Sequence, residues 1–369
     1  MKIIELNLQN FRNYENLSLN FSNKQNIIIG SNGSGKTNIV EAIYLLAITK
    51  SFRGSLDKIM INHKAKELKV EGKIKNKIIN KYQIQLSETG KIVKIDNNKI
   101  AKLSDYISKI NVILFTPEDT NIIKDSPRSR RNMINIEISQ LENGYLHLLN
   151  EYNRILKQRN AFLKLMYVNK LASPDYLWIL TEKLIDTGIK ICKYRNKFID
   201  DINKYYDKIN LDITKKSGLK VSYISTFKNK TKEDLMKKYK MYYDKDIILG
   251  KTSIGIHHDD FIFSLNNCNL KDYGSEGEQK NAIICFKLAE VELFIKDKGI
   301  YPILILDDLF SELDGKKINN ILKKLNKNLQ IFITTTDLRN INTQILNNCI
   351  IFNIKNGKVV KKVYEWKNQ

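Results

Sequence analysis

The chain is 369 residues long and 42% hydrophobic, enough to close one large or two moderate packed cores, which excludes a disordered or fibrous chain. A net charge of +22 points to an anionic partner, but only nine of the 62 basic residues are arginine, and the abundance of Lys, Ile and Asn is what AT-biased coding imposes unaided. No apolar run approaches the roughly 20 residues of a membrane span, Glu5 interrupts any leader-like start, and Cys192, Cys268, Cys285 and Cys349 lack C-x-x-C or metal-ligand spacing. The expectation is a soluble, cytoplasmic, globular protein with reduced thiols and no membrane partner.

Residues 1–30 alternate apolar and polar positions as two or three short strands, bending at Asn10-Phe11-Arg12-Asn13-Tyr14. Ile27-Ile28-Ile29 then breaks into Gly30-Ser31-Asn32-Gly33-Ser34-Gly35-Lys36-Thr37, the G-x-x-x-x-G-K-[ST] form of a phosphate-binding loop. Glycines at 30, 33 and 35 let the backbone turn successive N–H groups into one concavity, with Ser31, Asn32 and Ser34 between them. Lys36 is placed to reach the β/γ-phosphates, Thr37 to offer a hydroxyl to Mg²⁺, and the helix that follows aims its positive end at the same charge.

Leu68 to Ile100 predicts an antiparallel meander with turns at Glu88-Thr89-Gly90 and Asp96-Asn97-Asn98, and Val112 to Phe115 a buried strand stopped by Thr116-Pro117-Glu118. From Ser129 to about Lys208 the period is helical: one long stripe from Met133 to Leu165, a break near Leu171-Ala172-Ser173-Pro174, and a second helix to about Tyr206. The stripe is too short for a coiled-coil arm. Strands are expected at Leu219 to Ser225, Thr252 to Gly255 and Phe261 to Leu265, then a helix after Ser275, then strands Ile303 to Leu306 and Ile331 to Thr334.

Ile303-Leu304-Ile305-Leu306-Asp307-Asp308 is a buried strand ending in two carboxylates, the pattern of a Walker B segment. Asp307 would hold Mg²⁺ through water opposite Thr37, and Asp308 would orient or deprotonate the attacking water, making Asp308 and Lys36 the catalytic residues. In Ser275-Glu276-Gly277-Glu278-Gln279, Ser275 caps the next helix, Gly277 permits close backbone approach, and the free N–H groups make a second anion site. Since the P-loop already holds its own triphosphate, this second site is expected to act in trans on nucleotide bound by another copy. Arg12 and Arg53 flank the P-loop strand and helix and are placed near the nucleotide. Arg128, Arg130 and Arg131 open a helix, where the dipole disfavours cations, so their clustering calls for an anionic partner. Lys190, Lys193, Arg195 and Lys197, with Lys237, Lys238 and Lys240, either extend that path or form solvated faces.

The order of P-loop, S-x-G-x-Q helix, Walker B and Ser311-Glu312-Leu313-Asp314 resembles the ABC-type ATPase head of the SMC and Rad50 group, with Ser311 to Asp314 as the D-loop. That implies an α/β fold: a P-loop ATPase head, mixed sheet with antiparallel meander, interrupted by an inserted, mainly helical lobe. Residues 1–116 would carry the P-loop, 117–250 the basic lobe, and 251–369 the signature loop, Walker B and D-loop. Asn10 to Tyr14, and Pro117-Glu118-Asp119 through Ser126-Pro127-x-x-Arg130-Arg131, narrow the resemblance to the bacterial RecF family over nearly the whole chain. The chain departs from that family's pattern at Asp125, Met133 and Asn135, and carries Gly255-Ile256-His257-His258 for Gly-Pro-His-Arg. Thr334-Thr335-Thr336-Asp337 replaces the switch histidine of many ABC ATPases, so slow hydrolysis is expected.

The resemblance implies binding of ATP with Mg²⁺ and of single- and double-stranded DNA without sequence preference, the arginines contacting phosphates and Glu118 sensing the γ-phosphate. It further implies an ATP-dependent homodimer clamped at gaps, weak DNA-dependent ATPase activity, and work in replication, gap repair and SOS induction with RecR- and RecO-type mediators. The alternative is the ATPase subunit of an ABC transporter, which would want a switch histidine and a membrane partner and has no need of the arginine cluster. A purely structural SMC-like linker would need the long coiled coil that is missing from the pattern.

Overall fold

The computed structural model describes residues 1–54, 56–169, 173–309, 320, 325–339, 349–355 and 357–363. Ser311 to Asp314, the expected D-loop, and Leu171-Ala172 of the expected helix break lie outside them. Strand β1 (Lys2–Phe11) turns through Arg12, at φ 54°, into antiparallel β2 (Tyr14–Asn20), and β3 (Gln25–Ile29) leads through the glycine loop into α1 (Lys36–Ile48). The meander follows as β4 (Glu67–Lys75), β5 (Ile79–Ser87), β6 (Gly90–Ile95) and β7 (Asn98–Lys99). Its last turn places Asp96 and Asn97 at φ 48° and 69°, residue types that tolerate the left-handed region. After α2 (Leu103–Tyr106) comes β8 (Val112–Phe115).

The helical stretch is three helices, where sequence periodicity suggested a pair: α3 (Pro127–Leu141), α4 (Tyr145–Val168) and α5 (Pro174–Thr214). Gly144, at φ 97°, lies between the first two, so the stripe from Met133 to Leu165 belongs to two helices. Next come β9 (Leu219–Ile224), α6 (Lys232–Met241), α7 (Tyr243–Leu249), β10 (Asp260–Leu265), β11 (Cys268–Asn269), α8 (Leu270–Tyr273) and α9 (Glu276–Lys298). The last described strands are β12 (Ile303–Asp307), β13 (Gln330–Thr335), β14 (Cys349–Lys355) and β15 (Lys358–Val363). The strand expected at Thr252 to Gly255 is absent from the described residues. Asn160 Oδ1 accepts the Thr252 N–H and Asp246 Oδ1 the Ser253 N–H, so side chains take the donors that a strand partner would.

Two compact units result. The first is Met1–Thr120, Ile209–Lys216 and Ile283–Gln369. It contains the antiparallel sheet β2-β1-β4-β5-β6-β7 and the mixed sheet β15-β14-β3-β13-β12-β8. Within it α1 packs on β4 closely enough that a Cβ on Gly72 would meet Leu46 Cδ1 at 2.7 Å. Buried Gln330 joins the two sheets, accepting from the Ile3 N–H and donating to the Ile3 and Ser22 carbonyls. The second unit is Asn121–Lys208 and Ser217–Ala282, helices around the three-stranded sheet β11-β10-β9. Sequence boundaries at 116 and 250 thus differ from the contacts: residues 251–282 pack with the lobe, because β10 is laddered to β9 from Asp260 to Leu265.

Candidate nucleotide-binding site

β3, β13, β12 and β8 run parallel, with Thr335 opposite Ile29 and Asp307 opposite Thr334, so their carboxyl ends share one edge. The P-loop strand and the Walker B strand are one strand apart, with β13 between them. At that edge the glycines do different work. Gly33 and Gly35 take φ of 78° and 111°, which side chains rarely adopt. Gly30 is needed for space: a Cβ there would come within 2.4 Å of the Ile354 carbonyl and 2.6 Å of Ser34 Oγ. Ser31 and Asn32 are exposed on the loop, and Lys36 Nζ bridges the Gly30 and Ser31 carbonyls at 2.8 and 3.0 Å.

Lys36 is buried, and desolvation lowers its pKa against the pull of Asp308 and Asp307. Asp307 moves upward because it too is buried, although hydrogen bonds from Thr334 and Thr37 oppose the shift. Thr334 Oγ1 donates to Asp307 Oδ1 at 2.6 Å and accepts from the Asp308 N–H at 2.9 Å. Asp308 itself sits at φ 50°, a conformation unusual outside glycine. Sequence reading noted Thr334 only as part of the switch position, and its role in aligning both carboxylates depends on a strand neighbour 27 residues away. Thr336, the exposed residue of that position, follows β13.

A triphosphate and a divalent cation fit this donor set. Ser34 Oγ is buried with no hydrogen-bond partner among the described residues, the lysine is already aimed into the loop, and a buried carboxylate is bonded to a threonine hydroxyl.

Arg12 and Arg53 converge on Glu41 of α1, which is fully buried. Arg12 donates Nε and Nη2 to its two oxygens at 3.0 and 2.5 Å and Nη1 to the Ile59 carbonyl. Arg53 bonds Asn38, Asn38 bonds Asn13, and Asn13 reaches the Ser34 carbonyl, so a polar chain runs from this pair into the P-loop. The sequence signals Glu41 only as the one carboxylate of α1, set in the apolar stretch that follows Asn38. Glu118 follows β8 in a single 3-10 turn.

In the second unit, Ser275 and Glu278 form a reciprocal capping box: the Ser275 N–H and hydroxyl donate to Glu278 Oε2 at 3.0 Å, and the Glu278 N–H returns to Ser275 Oγ. Buried Gln279 anchors the turn through the Leu270 and Gly274 carbonyls. Ser275, Glu276 and Gly277 are exposed. Gly277 is outside the left-handed region, and nothing among the described residues lies within 4 Å of where its Cβ would be.

The arginine triplet is divided by the fold. Arg128 is exposed. Arg130 is 4% exposed, bidentate to Asp260 at 2.7 and 2.9 Å, and donates to the Ile122, Ile123 and Asp125 carbonyls. Arg131 is half-buried and donates to the Asp259 carbonyl. The expectation that all three face DNA is corrected accordingly: Arg130 has its partners inside the lobe. Arg195, expected among the surface cations, is likewise buried on Asp259, with Asn135 Oδ1 accepting from it and from the Tyr145 hydroxyl.

No helix among the described residues is long and apolar enough to cross a membrane. Residues 2–359 match the RecF/RecN/SMC N terminal domain family. The DNA replication and repair protein RecF of Ligilactobacillus salivarius is 39% identical, the alignment covering 98% of each chain. A solved structure of the recombination mediator protein RecF of the RecFOR pathway, in a form named RecF-ATP, superposes with a TM-score of 0.90 at 30% identity, over 98% of this chain and 97% of that one. The Smc head domain of Pyrococcus furiosus shares the fold, with a TM-score of 0.54 at 17% identity over 98% and 95% of the two chains. By architecture and by sequence along its whole length, the chain belongs to the RecF family of DNA replication and repair proteins.

Proposed function

We propose that the protein is an ATP-gated DNA clamp of recombinational repair, acting in replication, gap repair and SOS induction in the cytoplasm with RecR- and RecO-type mediators. The two parts of the chain that form its ATPase head are separated in sequence by the basic lobe. The backbone from Gly30 to Gly35 cradles the triphosphate, and Lys36 neutralises its β/γ oxygens. Thr37 and Asp307 would hold Mg²⁺, which supplies further charge neutralisation on those oxygens. Asp308 orients or deprotonates the attacking water, and Arg12 adds positive charge at the rim. Without a switch histidine, hydrolysis is slow and serves release.

The observation that carries this reading is the exposed turn at Ser275 to Gly277, capped and anchored yet containing a glycine that nothing among the described residues requires. A bare backbone at the start of the 23-residue helix α9 suits close approach by a second copy's nucleotide. Head-to-head nucleotide sharing then closes the dimer on DNA, where Arg128 and lobe lysines meet phosphates without reading bases. Sedimentation with ATP and duplex DNA tests it. Wild-type protein should dimerise, whereas Lys36→Ala and Ser275→Arg should remain monomeric; a wild-type monomer under all conditions overturns the clamp.

A further inference from the structure

Within the helical lobe, one end carries apolar side chains that the fold leaves uncovered. Leu163 and Met166 of α4 pack with Leu177 of α5, with Phe162, Tyr243 and Ile247 against them. On the opposite stripe of α4, Leu165 and Val168 face outward, Val168 being 83% exposed. The end of α7 lies alongside, since a Cβ on Gly250 would meet Lys164 Cγ at 2.7 Å, and it brings the exposed pair Ile248 and Leu249 to the same border. On the other flank Tyr176 meets Phe162 edge-on at 5.0 Å, and exposed Ile179 follows three residues later. Exposed apolar side chains gathered in this way mark an association site.

The frame of this patch is mainly cationic, with exposed Asp175 and Asp244 as its acidic members at the starts of α5 and α7. After Glu151, α4 holds no acidic residue, while Lys157 and Lys164 are exposed on it, and exposed Lys240, Lys245 and Lys251 border α7. Three occupants can be weighed. Single-stranded nucleic acid wants several open aromatic faces, but Trp178 and Tyr243 stack on each other at 5.5 Å and exposed Tyr176 stands edge-on against Phe162, so Tyr167 is the one exposed tyrosine ring of α4 among mostly aliphatic surface. A second copy would set the same lysines against each other. An acidic, apolar partner satisfies both the centre and the rim.

We infer that this end of the lobe docks an acidic amphipathic helix of a partner protein, its apolar stripe on Leu165, Val168, Ile248 and Leu249 and its carboxylates on the surrounding lysines. The probe is a fluorescent synthetic helix of about 18 residues, with Leu and Phe along one face and Glu elsewhere, titrated by anisotropy against the full chain. Leu165→Glu and Ile248→Glu should each weaken binding by about tenfold, Val168→Ser and Lys164→Ala by a few-fold, and added salt should weaken all of them. The proposal is overturned if the peptide does not bind, or if a scrambled peptide of equal composition binds as well. It is also overturned if a single-stranded oligonucleotide displaces the helix and loses affinity in the same variants, or if the wild type sediments without nucleotide as a dimer that Leu165→Glu dissolves. Dimerisation that needs ATP and Ser275 belongs to the clamp reading and leaves this test separate.

Discussion

Two cationic segments look alike in the sequence and behave differently in the fold. Lys36 is buried among glycines with its ammonium on the carbonyls of its own loop, five and six residues away. Arg130 is equally buried, but its partner Asp260 is 130 residues distant and in another element. The first is a local device whose glycines, lysine and threonine are adjacent because the backbone turn itself is the binding surface. The second is held by tertiary packing; half-buried Arg131 is likewise tied to the Asp259 carbonyl, whereas exposed Arg128 shares only their proximity in the chain. Charge clustering along a sequence therefore says little until burial separates the cations that hold the fold from those that meet a ligand.

The sharpest break of that comparison is Arg130→Ala. It leaves Asp260 without its bidentate partner and three carbonyls without a donor, which should destabilise the lobe by about 3 kcal/mol. Urea unfolding should show the loss, with nucleotide affinity retained. Lys36→Ala should give the converse, lost nucleotide binding with an unchanged lobe transition. An Arg130→Ala protein of normal stability that fails on DNA would mean the guanidinium faces phosphate after all.

The legible part of the molecule follows the same division. The glycine loop between β3 and α1, the paired carboxylates at the end of β12 and the meander were readable, because each rests on local period or turn chemistry. Glu41 and Thr334 were not, since their importance lies in what reaches them from other elements: Arg12, Arg53 and Ser51 on one, the backbone of Asp308 on the other. The three helices were read as two because an apolar stripe continues across Gly144, whose positive φ ends one register and starts another. Asn135, one of the departures from the family pattern, accepts from both the Tyr145 hydroxyl and Arg195 through its single amide oxygen.

A pH test sharpens the contrast at the next size of effect. His257 is partly buried in the lobe, and desolvation, then its neighbour His258, lower its pKa to about 4. The Thr252 carbonyl can only accept, so Nε2 carries the proton and Nδ1 accepts from the Tyr152 hydroxyl at 2.7 Å. With the folded pKa depressed, the unfolded chain binds the proton first as pH falls below about 6.5. Stability from this group is therefore present above that value and lost on acidification towards 4. The lobe should lose about 2 kcal/mol between pH 7 and 5, read by urea unfolding, and His257→Gln should flatten that slope. An unchanged slope would show that other groups govern acid sensitivity.

The smallest effect is the most discriminating. Arg128 is exposed at the amino end of α3, where its charge opposes the helix dipole, so Arg128→Ala should change stability by no more than about 0.5 kcal/mol and in the favourable direction. If that unfavourable position is kept for DNA, the same substitution should weaken duplex binding a few-fold, equally across sequences. The slope of log affinity against log salt should also fall by about one. Both readouts must move together, because a lost phosphate contact releases fewer counterions as well as less energy. An affinity loss at constant salt slope would place the effect in the fold, and the exposed arginine would then join Arg130 on the structural side of the comparison.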